Sequence, residues 1–244
     1  VGRMKVATQR LVEEARKPSP EYLDIPIQVD GVIKGDDAGT ATLRFYPKDA
    51  SYRPSNDTVL GLVDAPALLF LTRIDQGQVG LYFAGKPAAL QAATEQALRA
   101  ARAESSRQTQ IIRAWRPDSS LAHFDEVQAL IARLGQVSGP EQQRVFEQLE
   151  ALGPAAVPAI IAQMDDRRPL RTKAISLVNH ASNAFEGIRH YSPDQVVDGL
   201  DAILNQITGA GFGSIVSGGS DRQRDAAVAG WRIYAADLPC HEQK

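Results

Sequence analysis

Residues 149–166, L-E-A-L-G-P-A-A-V-P-A-I-I-A-Q-M-D-D, constrain the fold more than any other stretch of the chain. They read as the end of one helix, a Gly153-Pro154 corner and a second helix whose Val157, Ile160, Ile161 and Met164 recur at the spacing of one buried face. That spacing is the spacing of one α-helical hairpin. The stretch holds no nucleophile, no metal-ligand pair and no phosphate loop, so it speaks to architecture and not to chemistry.

The chain around it is predicted to be helical from Phe124 onward. Val127, Leu130, Ile131 and Leu134 form one apolar stripe, closed by Gly135, and Pro140-Glu141 opens a helix with Val145, Phe146, Leu149 and Leu152 inside. Pro169 stands near the start of a long helix predicted to reach about Tyr191. Ser192-Pro193-Asp194 opens the next, with Val196, Val197, Leu200, Ile203, Leu204 and Ile207 facing inward. Residues 209–219 are Gly-rich, with neither a preceding strand nor a Lys, and read as a flexible helix connection in preference to a phosphate-binding loop. Ser220 and Gln223 match a capping box at the head of the last helix, on which Ala227, Trp231, Tyr234 and Leu238 share a face. Gly230 costs that helix roughly 1 kcal/mol relative to Ala, which predicts a close contact at its backbone. His123, beside Phe124 at a helix start, reads as a packing or capping residue.

Residues 1–85 alternate with a period of two instead. Ile25, Ile27 and Val29 alternate with Asp24, Pro26, Gln28 and Asp30, and Pro26 predicts a place near a sheet edge. After the turn at 35–39, Ala41, Leu43 and Phe45 alternate in the same way, which completes a hairpin signal. Residues 47–58 read as a polar loop, Leu68–Leu71 as a strand buried on both faces, and Leu81, Tyr82 and Phe83 as a strand following a turn at Gly77 and Gly80. About five short strands predict a small antiparallel barrel or sandwich. Beyond Gly85 the spacing of Pro87, Leu90, Ala93, Ala97 and Ala100 predicts a helix. Over 99–116 it carries Arg99, Arg102, Arg107, Arg113 and Arg116 against the single acid Glu104, as a solvated linker or as a docking surface for an acidic partner. The expected class is α+β: a β-barrel domain over 1–85, a linker helix over 86–119 and an α-helical domain over 120–244.

Composition narrows the partners. With 244 residues and a formal net charge of −2, nothing electrostatic calls for nucleic acid or an anionic membrane. The longest apolar run, Ala65–Leu71, is too short to span a bilayer and contains Pro66. Cys240 is the only cysteine, so no internal disulfide forms; this fits a reducing compartment and equally a periplasmic protein that avoids cysteine. The strand-like start V-G-R-M-K-V-A leads us to expect a missing upstream leader and a periplasmic or secreted location, with a cytoplasmic one as the alternative.

The candidate site lies in the predicted long helix. Asn179, Asn183, Glu186 and His190 fall at i, i+4, i+7 and i+11 on one face, opposite Leu170, Ala174, Leu177, Ala181, Ala184 and Ile188. They read as a solvated face or, with Arg189 and Tyr191 nearby, as the lining of a polar groove; Asn costs a helix roughly 0.6 kcal/mol relative to Ala, which argues for a reason to be there. His180 and His190 fall on different faces and no H-x-x-x-H or E-x-x-H occurs, so no metal site is expected. No catalytic residue and no cofactor is expected either.

Leu152-Gly153-Pro154-Ala155-Ala156-Val157-Pro158-Ala159-Ile160-Ile161 through Asp166 resembles the HEAT-type helical repeat, in its pattern L-G-x-x-A-V-P-x-I-x-x-x-M-x-D. The resemblance covers one copy and implies helix-on-helix layering and a leaning toward protein interaction. The first 85 residues, with V-D-G-V-I-K-G, a hairpin and then A-L-L-F-L-T-R-I-D-Q-G-Q-V-G-L-Y-F-A-G, resemble an oligonucleotide-binding-type barrel of the netrin-like sort found in secreted bacterial proteins. Netrin-like inhibitors place an N-terminal cysteine on a protease metal, and this chain has none there. The expected function is that of a non-enzymatic interaction or scaffold protein with a protein partner, its oligomeric state open. The alternative is a hydrolase, or a ligand-binding or inhibitor protein, using the groove around Asn179–Tyr191.

Overall fold

The computed structural model describes residues 2–4, 23–35, 40–45, 61–62, 64–75, 78–81, 90–178, 187–213 and 215–241. The chain divides into two compact units, Val1–Arg107 and Gln108–Lys244. It is a mixed α+β protein, with strands in both units.

In the first unit, β1 (Gly2–Met4), β2 (Leu23–Val29), β3 (Thr40–Phe45), β4 (Pro66–Leu69), β5 (Leu71–Asp75), β6 (Gln78–Leu81) and β7 (Leu90–Ala92) form one sheet, in the order β5-β6-β3-β2-β1-β4-β7. The predicted β2–β3 hairpin pairing is present, with Ile25 opposite Leu43 and Ile27 opposite Ala41, all buried. The pairing of β3 with β6 is parallel and the rest are antiparallel. Arg44 grips Asp24 across β2 and β3 with two bonds of 2.9 and 2.8 Å, which holds the Asp24 carboxyl below its ordinary range.

Three expectations for this unit are corrected. β2 lies between β1 and β3 and is not an edge; Pro26 falls just beyond Ile27, where the described pairing with β1 ends. The apolar run Leu68–Leu71 is not one strand but breaks at Phe70, 42% exposed, because β4 and β5 pair with different neighbours. Leu90 belongs to a strand, not to a helix: it sits buried opposite Leu69 in β7. The helix starts only at Glu95, where Thr94 Oγ1 accepts the Ala97 N–H at 3.1 Å as a cap. The loop expected over 47–58, Tyr82, Phe83 and Pro87 lie outside the described residues. The helix, α1 (Glu95–Ala114), buries no residue fully, and two of its arginines pair along it, Arg99 with Glu95 at 2.7 Å and Arg107 with Glu104 at 2.8 Å.

The second unit contains α2 (Phe124–Arg133), α3 (Gly139–Ala151), a 3₁₀ turn (Pro154–Ala156), α4 (Val157–Ala162), β8 (Ile175–Val178), β9 (Ile188–Tyr191), α5 (Val196–Thr208) and α6 (Asp221–His241). Its core joins Val127, Leu134, Phe146, Leu149, Ile160, Ile161, Met164, Leu200, Ile203 and Trp231, as the apolar stripes predict. The Gly153-Pro154 corner is real: Gly153 takes φ +68°, and the chain turns by 96° between Gly139–Ala151 and Pro154–Ala162. His123 precedes α2 with φ +61°, its ring Nδ1 lying 3.0 Å from Glu126. Among the described residues no single helix is long and apolar enough to cross a membrane.

The all-helical expectation for this half is overturned. The described parts of the predicted helix from Pro169 to Tyr191, residues 169–178 and 187–191, are not helical: β8 and β9 pair antiparallel, Ile175 with Tyr191 through Val178 with Ile188. Ile175 and Leu177 are buried while Ser176 and Val178 are exposed, a period of two that β-branched residues fit better than a helix does. The Gly-rich loop is also more than a connection. It sends Ile215 into the core and sets Phe212 edge-on to Trp231 at 4.9 Å. That packing explains Gly230, since a Cβ there would overlap the Phe212 side chain, the close contact predicted from the sequence.

Candidate functional site

Of the six expected groove residues the structure describes Arg189, His190 and Tyr191. Asn179, Asn183, Glu186 and His180 lie outside the described residues. Arg189, His190 and Tyr191 are consecutive residues of β9, so they alternate between faces and do not share one. Tyr191, opposite buried Ile175, packs partly buried against the core, and Arg189 is half-buried opposite Leu177. His190 faces outward with Ser176, whose Oγ is 2.9 Å from its Nδ1. The groove on one helix face is therefore not formed by these three residues. The outer face of the hairpin instead carries Ser176 and His190 beside an apolar pair, Val178 at 54% and Ile188 at 51% exposed.

Glutamine side chains hold this hairpin to the helices. The Gln143 amide of α3 accepts the Ser176 N–H at 3.0 Å and donates to the Ser176 carbonyl at 2.6 Å. Its neighbour Gln142, fully buried, does the same for Thr172 at 3.1 and 2.6 Å. Gln206 of α5 donates to the Val178 carbonyl. Each amide acts as a fragment of a neighbouring strand and satisfies main-chain groups that would otherwise be left unmade. Adjacent Gln142 and Gln143 give no such signal in sequence, because they read as the polar side of a helix.

A second polar cluster lies between α5 and α6. Asp198 is fully buried and takes two bonds from Arg224, at 2.7 Å from Nε and 2.9 Å from Nη2. It also accepts the N–H groups of Asp194 and Gln195, each at 3.0 Å, and so caps α5. One turn on, Asp201 accepts the Trp231 indole N–H at 2.6 Å. Burial pushes the Asp201 carboxyl up to about 6, against the indole and Ile215 hydrogen bonds that lower it and with a smaller upward push from Asp198. These acids fasten the loop carrying Ile215 and both helices together. The sequence signal for them is two aspartates at i, i+3 inside the apolar run V-V-D-G-L-D-A-I-L.

In the first unit an open cleft of about 550 Å³ lies between Asp30–Ile33 and the α1 residues Leu98, Arg102, Ser105 and Ser106. It includes none of the six expected groove residues. Among the described residues no three of His, Cys, Asp and Glu gather as a metal site. Comparison with known proteins returns no matching family, no matching curated protein and no matching solved structure.

Proposed function

We propose that the protein is a non-enzymatic interaction module whose contact surface is the outer face of the β8–β9 hairpin. The carrying observation is the adjacent pair Val178 and Ile188, each more than half exposed, on a hairpin whose other apolar residues Ile175 and Leu177 are buried. Covering such a pair removes apolar surface from water, the driving force an interaction surface supplies. The HEAT-like corner, as one layer of helix packing, and a netrin-like barrel for the first unit fit the same reading, as does an exported location. The test is a photo-crosslinking residue placed at Ile188 in the full chain, with Gln148 as the control position. A discrete partner polypeptide captured at Ile188 and not at Gln148 supports the reading; equal or no capture at both overturns it.

A hydrolase is the second reading, and it draws on the Ser176–His190 contact of 2.9 Å, half of a nucleophile–base pair. Such a pair also needs a group orienting the ring and donors for an oxyanion. No described residue bonds the other ring nitrogen. A serine-directed fluorophosphonate that labels Ser176 and fails to label the His190→Ala variant would favour this reading.

A further inference from the structure

The main-chain groups of the hairpin that point away from its own ladder can be followed one by one. Ser176 directs both its N–H and its C=O to Gln143, away from β9. His190 is directly opposite Ser176, so in an antiparallel ladder its N–H and C=O point away from β8. The same parity turns Val178 outward on one side and Ile188 outward on the other. Gln206 covers the Val178 carbonyl, and the N–H of Ser192, next in the same parity along the chain, donates to Ser217 Oγ at 3.2 Å. Ile188 and His190 are left: among the described residues nothing bonds their outward main-chain groups. Among the described residues Gln143 covers both Ser176 groups and Gln206 the Val178 carbonyl on the β8 side, Ser217 covers the Ser192 N–H beyond β9, and the Val178 N–H and the two outward positions of β9, Ile188 and His190, have no partner.

The residue between these positions selects the occupant. A second copy of β9, paired so that each Ile188 meets the other chain's His190, would set Arg189 opposite its own counterpart, and like charges directly opposite on neighbouring strands repel. Arg189 has no ion-pair partner among the described residues, and it lies half-buried on the inner face, where an added strand would place a side chain beside it. On the outer face a side chain of the added strand would lie beside Ile188, with Val178 one strand further on.

We propose that the open edge of β9 accepts an extended acidic segment of another protein as a third strand. Main-chain bonds to Ile188 and His190 hold it, a carboxylate sits beside Arg189, and an apolar side chain covers Ile188. This rests on the interaction reading above and names the chemistry of its partner.

The probes are two capped heptapeptides, one alternating valine and glutamate and one alternating valine and lysine, added to the full chain and followed by amide hydrogen exchange. In the free protein the Ile188 and His190 amides exchange at least about tenfold faster than those of Arg189 and Tyr191. The glutamate peptide slows both by about tenfold, the lysine peptide does not, and Arg189→Glu exchanges the two preferences. His190→Pro, which removes one outward N–H, abolishes the protection, with retained protection at Leu177 showing that the hairpin still forms. Slow exchange at Ile188 and His190 in the free protein, failure of the glutamate peptide, or indifference to Arg189→Glu each overturns the proposal. Partner capture at Ile188 combined with failure of the glutamate peptide removes this inference and keeps the interaction reading; failure of both removes both.

Discussion

At the scale of single residues, two positions have consequences out of proportion to their size. Asp201 is an acid whose folded-state proton affinity is raised to about 6 by burial between α5, the Ile215 loop and Trp231. The native state therefore binds its proton more tightly than the unfolded chain does. The stability this contributes is full below the ordinary aspartate range and is lost as pH rises through about 6. The other resolved aspartate shifts, at Asp24, Asp118 and Asp194, are downward and act at lower pH. Between pH 4 and 7 the wild-type urea midpoint is thus expected to fall relative to that of Asp201→Asn, which keeps an acceptor for Trp231 and cannot ionise. Parallel midpoints across that window would remove Asp201 as the cause. Gly230 is the second position. Alanine there gains about 1 kcal/mol of helix propensity but drives its methyl into Phe212, and overpacking of that kind costs about 1–3 kcal/mol. Gly230→Ala is expected to lower the melting temperature, and Gly230→Ala with Phe212→Ala to lower it by less than the sum of the two changes.

Among elements, β8 and β9 teach the most. Gln142 and Gln143 make equivalent two-bond clamps, but Gln142 is fully buried while Gln143 is half-exposed. Water replaces the lost bonds at Ser176 and has no access at Gln142, so Gln142→Ala is expected to cost about 1–3 kcal/mol and Gln143→Ala under about 1. Chemical denaturation of the two variants measures the difference, and equal losses would show that burial does not decide it. The same two residues explain where sequence reading failed. Helices α2 to α6 were legible because their apolar stripes face a common core and their ends carry Gly135, Pro140, Pro154 and the Ser220–Gln223 box, all local signals. The hairpin was not legible, because Leu170, Ala174, Leu177 and Ile188 also satisfy a helical period. What decides for strands is the nonlocal clamp from α3 and α5, which no window over residues 169–191 contains. For the same reason the sequence puts Arg189, His190 and Tyr191 along a helix, whereas β9 alternates them between two faces. β7 was missed likewise: Leu90 continues a helical spacing, and only β4, some twenty residues upstream, makes it a strand.

For the molecule as a whole, the governing fact is that each unit has its own core. Ile25, Ile27, Leu43, Ala67 and Leu90 form one cluster, and Val127 through Trp231 form another, with no buried residue shared between them among the described residues. Cooperative unfolding depends on shared burial, so two clusters that share none are expected to melt as two transitions in calorimetry. Leu43→Ala removes a fully buried side chain from the first cluster and is expected to cost about 2–5 kcal/mol. Phe146→Ala empties the space between Gly199 and the surrounding helices in the second, at about 3–5 kcal/mol. Each variant is expected to shift one transition downward and to leave the other within a degree or so of wild type. The argument is sharpest at Phe146, because Gly199 exists there to admit the ring: a Cβ at Gly199 would stand 2.6 Å from two of its carbons. Gly199→Ala should therefore move the same transition as Phe146→Ala. If both variants instead lower a single common transition, or if Leu43→Ala moves both, the two clusters are one folding unit and the separate cores do not mark separate stabilities.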